Sequence, residues 1–323
     1  MQSEFEFIEK IRKRYSLTKI GDDCAVLPKD SKTDLVITTD LLVEDIDFRR
    51  DWTSPEFLGH KALAVSLSDV AAMGAKPVWA MLSIGIPEEI WKTDFVEKFY
   101  DGYFRLARKF GVEIVGGDIS RTPDKIVIDS IAAGEVKKGK AILRSGAKVG
   151  DLIVVTGELG GAAAGLKLLE NGIFYDDSAK IWQRNLLLKQ LQPLPQIHAA
   201  QDLNEYNQAT SMIDLSDGLS ADLMHICRES GVGAKIFADR IPLQKNLISV
   251  TDSFEEKLNL ALNGGEDFEL LYTVNPKKKF RGENTAKINQ FFHIGEITAN
   301  AEIIDLILRD ETRVLQPKGF RHF

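Results

Sequence analysis

Residues 54–86, SPEFLGHKALAVSLSDVAAMGAKPVWAMLSIGI, decide the fold class. Ser54 can cap a first helical turn with its hydroxyl, and Pro55 suits the next position because a helix leaves that N–H unpaired anyway. The helix continues to Met73 and stops at Gly74, after which residues 77–86 read as a strand. The alternation extends both ways. Upstream, Phe5, Ile8, Ile11 and Tyr15 recur at helical spacing and predict an amphipathic docking helix, followed by short strands at residues 24–27 and 35–38. Downstream, a helix over 95–110, stopped by Gly111, leads to strands at 112–115 and 126–136. Periodicity lapses through the Lys- and Gly-rich residues 137–150, which places a boundary between units 1–137 and 138–323. Beyond it come a strand at 152–155, helices at 162–170 and 179–191, a strand into Asp214, a helix at 219–229, and strands at 269–274 and 292–297. The pattern is α/β (α+β) in two domains.

A chain of 323 residues exceeds what one hydrophobic core usually serves, and a 44% hydrophobic share supplies packed interiors. Its net charge of -7 argues against a nucleic-acid surface, which needs clustered Lys and Arg. Cys24 and Cys227 stand far apart with no CxxC pair, so neither a disulfide framework nor a zinc ribbon is available, and a reducing, cytoplasmic setting is expected. No apolar stretch is long enough to span a bilayer and the N-terminal residues form no signal peptide, so no membrane partner is expected. Small molecules and metal ions remain as partners.

Six acidic clusters end apolar stretches or sit among small residues: Gly21-Asp22-Asp23, Thr38-Thr39-Asp40, Leu67-Ser68-Asp69, Gly116-Gly117-Asp118, residues 213–218 (IDLSDG) and Gly264-Gly265-Glu266-Asp267. A carboxylate so placed must reach water or find a cation, because burial without a partner is costly. Singly, each has an ordinary explanation as a turn or a helix cap. Turns alone, however, do not require threonine pairs, apolar strands and glycines to accompany the acids so regularly. Converging carboxylates would bind Mg²⁺, which takes oxygen ligands and combines one or two carboxylates with substrate phosphates. The acids are expected at strand ends, apart from Asp69, which falls inside a helix on a face shared with Ala62, Ser66 and Met73.

Other motifs carry less. Residues 134–141, GEVKKGKA, nearly match a P-loop, but Ala141 stands where the metal-ligating Ser or Thr belongs. Gly157, Gly160, Gly161 and Gly165 lead from a strand into a helix, which suits either a bound phosphate or close helix packing. The five histidines show no HExxH spacing and no pairing on one helical face, so no zinc ligand or general base is assigned. Any chemistry rests on carboxylates.

The strings GDDCAVL (21–27), TTDLLVEDIDF (38–48), KALAVSLSDVAAMGAKP (61–77), GGD (116–118), LRSGAKVGD (143–151), IDLSDGL (213–219), NGGEDFELLYTV (263–274) and GFRHF (319–323) together resemble the thiamine-monophosphate kinase family. That family belongs to the aminoimidazole ribonucleotide synthetase-like superfamily. The resemblance implies two α/β domains, an N-terminal ATP/Mg-binding and dimerisation unit and a C-terminal unit completing the substrate site. It also implies a homodimer whose N-terminal sheets meet in a barrel. It further implies that Asp23, Thr38, Thr39, Asp40, Asp69, Asp118 and Asp214 bind several Mg²⁺ ions with Asp217 near another, and that Gly117, Asp118, Arg144 and Ser216 contact ATP. Asp47, Glu266 and Phe320 then match thiamine-site positions, although many relatives carry His at the first and Tyr at the last. The implied reaction is direct in-line transfer of the ATP γ-phosphoryl group to thiamine monophosphate.

Electrostatics accords with that expectation, because two anions approach only with cations between them. A phosphate monoester is largely ionised near neutral pH and needs no histidine base. The alternatives are the purine cyclo-ligase of the same superfamily and a catalytically silent nucleotide and Mg²⁺ sensor. The selenophosphate enzyme usually needs a Cys or selenocysteine in a glycine-rich N-terminal segment and the hydrogenase-maturation protein a terminal Cys, whereas this sequence ends Gly319-Phe320-Arg321-His322-Phe323 and shows neither feature.

Overall fold

The computed structural model describes residues 4–278, 291–309 and 311–320. An opening helix α1 (Glu4–Arg14) precedes a five-stranded sheet built from β1 (Ala25–Pro28), β2 (Thr33–Val43), β3 (Lys76–Pro87), β4 (Glu113–Thr122) and β5 (Val127–Lys137), in the order β1-β2-β5-β3-β4. Three helices interrupt it: α2 (Pro55–Ala72), the single turn α3 (Glu88–Trp91) and α4 (Phe95–Phe110). β3 and β4 are parallel, whereas the other neighbours run antiparallel.

A second, seven-stranded sheet begins after residue 151. Its strands are β6 (Leu152–Val155), β7 (Ala209–Asp214), β8 (Gly233–Phe237), β9 (Leu270–Val274), β10 (Phe292–Thr298), β11 (Ile304–Ile307) and β12 (Thr312–Val314), in the order β12-β11-β8-β10-β6-β9-β7. Between them lie α5 (Gly161–Glu170), α6 (Ile181–Leu191), α7 (Ile197–Glu205), α8 (Leu219–Ser230) and α9 (Phe254–Asn263).

The pivotal element is α2. Ser54 accepts the Phe57 N–H at 3.2 Å, as its hydroxyl predicts, and the body from Leu58 to Ala72 is buried almost all round. A helix apolar on every side belongs inside a protein, and this one lies under β2 and β5, against α4, and reaches β7 and α7 of the second half. Small residues permit the fit. A Cβ on Gly59 would lie 1.9 Å from the Phe99 carbonyl oxygen, and one on Gly102 would lie 1.9 Å from that of Glu56, so α2 and α4 touch backbone to backbone. One core therefore joins the halves, with Leu63, Leu67 and Val70 of α2 packed in the same cluster as Ala200, Met212 and Tyr272.

One expectation is corrected. The acids do not all end strands: β2 runs eleven residues, so Thr38, Thr39 and Asp40 lie inside it, and Asp118 lies inside β4. Pairing with β5 along the whole of β2 carries the strand through these polar residues. Alternation sends Thr38 toward α2, while Thr39 and Leu41 face outward. Within the single chain the sheet is open, with β1 and β4 as its edges. Its outward face leaves Leu41 59% exposed, with Met81 and Ile131 of the same face partly exposed. Among elements the pattern did not predict are α7, α9, β8, β11 and β12.

Candidate active site

Three elements deliver one carboxylate each to a single point. Asp23 comes from the turn before β1, Asp69 from the last turn of α2 and Asp214 from the end of β7. One oxygen of each lies within 4.8 Å of the others. Hydroxyls from the same stretches orient them: Thr38 Oγ1 donates to Asp69 Oδ2 at 2.5 Å, and Ser68 Oγ donates to Asp214 Oδ2 at 2.6 Å. Arg144 supplies the positive charge, its Nη2 2.6 Å and Nε 3.2 Å from Asp23 Oδ1, while its backbone N–H donates to Asp22 at 2.7 Å.

The group is electrostatically unfinished. Asp23 Oδ2 and Asp40 Oδ2 are buried with no hydrogen-bond partner among the described residues, a state that costs free energy unless something else binds them. Burial, with Asp129 and Asp23 nearby, pushes the Asp40 carboxyl up to about 6 despite a Ser66 hydrogen bond. Burial and then Asp23 push Asp214 up to about 8, and burial followed by Asp40, Asp214 and Asp23 holds Asp69 well above the usual carboxylate range. Burial opposes the Arg144 charge, yet Asp23 and its neighbours outweigh it and raise that pKa. Without another cation, Asp214 holds its proton near neutral pH.

Thr39 and Asp118 occupy the opposite side of the sheet. Thr39 Oγ1 donates to Asp129 Oδ1 at 2.5 Å, and register places Leu41, Asp129, Ser83 and Asp118 in one row across β2, β5, β3 and β4 on the open face. Gly117, beside Asp118, has φ +156° and so close a neighbour that a Cβ would lie 1.8 Å from the Leu82 carbonyl oxygen. The metal candidates thus divide between a buried group and an exposed one.

The loop after Asp214 gathers the remaining residues. Glu266 N–H donates to Ser216 O at 2.8 Å and Phe320 N–H to Asp217 O at 3.3 Å, so Ser216, Asp217, Glu266 and Phe320 are neighbours through their backbones. Glu266 sits at φ +65°, its Oε1 2.7 Å from Lys61 Nζ of α2 and its Oε2 accepting from Gln190 Nε2 of α6. The Phe320 ring is half exposed. Asp47 closes its own loop, its Oδ2 accepting the Val43 N–H at 2.8 Å.

The structure resolves the lesser motifs. Gly134 lies within β5, as a P-loop glycine would not. The N–H groups of Gly160 and Ala162 at the start of α5 are taken by Asp267 at 2.6 and 3.0 Å, and a Cβ on Gly165 would lie 2.3 Å from Leu186 O, so this glycine run serves a carboxylate cap and packing against α6. His60 bonds Pro193 O at 2.7 Å and His293 bonds Gly295 O at 2.8 Å, while His322 lies outside the described residues. Sequence reasoning passed over Lys61, Asp129, Gln190 and Asp222. A usable signal existed for Lys61, since a lysine within a helix of buried apolar residues must find a partner.

The fold is that of the AIR synthase related proteins: the N-terminal domain model of that family matches residues 21–136 and the C-terminal domain model residues 148–305. Within that class, thiamine-monophosphate kinase of Buchnera aphidicola (subsp. Acyrthosiphon pisum) is 41% identical over 99% of both chains, and that of Escherichia coli K12 is 40% identical over 94% of this chain and 91% of its own. The solved structure of AaThiL complexed with AMPPCP and TMP has a TM-score of 0.87 at 33% identity, covering 99% of this chain and 97% of that one. The chain belongs to the thiamine-monophosphate kinase family.

Proposed function

We propose that this chain transfers the γ-phosphoryl group of ATP to thiamine monophosphate, giving thiamine diphosphate and ADP, at a centre built on Asp23, Asp69 and Asp214. Likeness to kinases of that name over nearly the whole chain supports the reaction. The observation that carries the site is the approach of three carboxylate oxygens within 4.8 Å, beside buried acid oxygens without a hydrogen-bond partner among the described residues. Such a donor set, all oxygen and partly unsatisfied, fits Mg²⁺.

Asp23, Asp69 and Asp214 would hold such ions, with Thr38 and Asp40 completing the buried group. Thr39 and Asp118 would serve the open face, and Asp217 the substrate loop. Magnesium, when bound, supplies the positive charge that offsets repulsion between the two substrates' phosphates. The protein's own contribution is positioning. Thr38 and Ser68 fix two carboxylates, Arg144 sets its guanidinium beside Asp23 where nucleotide phosphates would arrive, and Gly117, Asp118 and Ser216 would line the path of ATP. No histidine is needed as base, because the attacking phosphate oxygen is already ionised near neutral pH. Glu266 and Phe320 would meet the thiamine rings, the aromatic face suiting a cationic thiazolium. Asp47 would stand where many relatives have His.

In this reading residues 1–137 form the nucleotide and dimerisation unit and 138–323 complete the substrate site. A second copy would cover the open face bearing Leu41, Met81 and Ile131, closing the two sheets into a barrel and enclosing Thr39 and Asp118. Apolar exposure along that face supports it. Cys24 and Cys227, both free and buried, accord with a cytoplasmic location, and among the described residues no helix is long and apolar enough to cross a membrane. Incubation with γ-labelled ATP, Mg²⁺ and thiamine monophosphate tests the reaction. Labelled thiamine diphosphate is expected, whereas nucleotide binding without product would leave a sensor.

A further inference from the structure

We infer that Lys61 and Gln190 are positioning residues that set the Glu266 carboxylate for the aminopyrimidine end of thiamine monophosphate. The inference rests on the reading of Glu266 as a substrate contact. Glu266 is unusual in both backbone and side chain. Its φ of +65° lies in the left-handed region that a non-glycine residue adopts only when its surroundings impose it, and the Ser216 carbonyl holds its N–H at 2.8 Å. Lys61 Nζ then fixes Oε1 at 2.7 Å, and Gln190 Nε2 donates to Oε2. The Lys61 side chain is 6% exposed and Glu266 29%, so the cation lies beneath and the carboxylate looks outward.

Burying a lysine carries a desolvation cost that an ion pair recovers only with good geometry. Here the pair anchors one acid whose outer side stays open. An ionised carboxylate accepts about four hydrogen bonds. Lys61 and Gln190 occupy one on each oxygen, and the remainder suit the N–H groups of an aminopyrimidine. The Lys61 ammonium balances the Glu266 charge, which sets this carboxylate apart from the acid cluster. Lys61 also links this contact to the reacting centre: Ser68, seven residues along on the same face of α2, holds Asp214 at 2.6 Å. One helix face therefore registers the thiamine contact against the acids.

Steady-state kinetics of the intact enzyme, with ATP and thiamine monophosphate varied separately, tests this. Lys61→Met should raise KM for thiamine monophosphate by about 10-fold or more, as expected for one charge-assisted hydrogen bond. KM for ATP should stay within about twofold, and Lys61→Arg should recover most of the loss. Gln190→Leu should act in the same direction but more weakly, and carries the test if Lys61→Met does not fold. Lys61→Met combined with Glu266→Gln should be little worse than Glu266→Gln alone. A folded Lys61→Met or Gln190→Leu enzyme with unchanged KM for thiamine monophosphate, while Glu266→Gln raises it, overturns the inference and leaves the role of Glu266 standing. Parallel increases for both substrates also overturn it. An unchanged KM in Glu266→Gln removes Glu266 from the substrate site, and the inference with it.

Discussion

Replacing Asp69 by Asn should make the metal-free protein more stable while nearly abolishing turnover. Two unit charges 4.8 Å apart repel by about 3.5 kcal/mol at an effective dielectric of about 20. Asn keeps the size of Asp and an oxygen that can still accept from Thr38, but it removes the charge Asp69 shares with Asp23 and Asp214. The wild-type protein relieves part of that repulsion by taking up protons, at about 1.4 kcal/mol per pKa unit. The gain is therefore clearest near pH 9, where holding those protons costs most. There, in EDTA, Asp69→Asn should gain on the order of 3 kcal/mol, equivalent to about 4 °C in Tm for a chain of this length. Saturating Mg²⁺ should cancel or reverse the difference, since the wild type alone keeps the full ligand set, and turnover should fall at least about 100-fold. Thermal melts with and without Mg²⁺, alongside the labelled-ATP assay, measure both. An Asn variant less stable than wild type at pH 9 in EDTA would refute the electrostatic reasoning, whatever its activity.

Three further outcomes are expected. Asp40 at about 6 and Asp214 at about 8 lie above the ordinary value of 3.8, so the folded metal-free state binds more protons than the unfolded chain between about pH 4 and 8, and its stability falls as pH rises through that window. Urea midpoints across pH should show this slope, and Asp214→Asn should flatten it; a wild-type profile rising over that range would contradict the assignment. Gly102→Ala places a Cβ 1.9 Å from the Glu56 carbonyl oxygen and should cost about 3 kcal/mol or more as α2 and α4 separate, whereas an unchanged urea midpoint would mean that these helices do not touch as described. Leu41→Glu puts a charge on the open sheet face, so light scattering should give a dimer for wild type and a monomer for the variant, and a monomeric wild type would remove the second copy from the account.

Much of the fold was legible because local signals agreed. Ser54-Pro55 and Gly74 bracket α2, Gly111 ends α4 with φ +67°, and β6 needed only its four apolar residues. What the pattern concealed depended on partners distant in sequence. Thr38 to Asp40 reads as the end of a strand, since polar residues end most apolar runs, but pairing with β5 continues β2 to Val43. β11 is four residues beside β8 and β12 three at an edge, too short for periodicity to register. The acids announced a site through their composition, yet the division of Thr38, Asp40 and Asp69 from Thr39 and Asp118 is a property of the two faces of a sheet, visible only once the register is known. Lys61 and Gln190 stayed hidden for the same reason, each meeting Glu266 across a long stretch of chain.

The most direct measurement is a crystal structure with Mn²⁺ in place of Mg²⁺, a non-hydrolysable ATP analogue and thiamine monophosphate. The account predicts anomalous density among Asp23, Asp69 and Asp214, about 2.2 Å from their oxygens, with the nucleotide phosphates and the vitamin phosphate on either side. Density found only elsewhere, with those three carboxylates turned apart and both substrates bound, would contradict it.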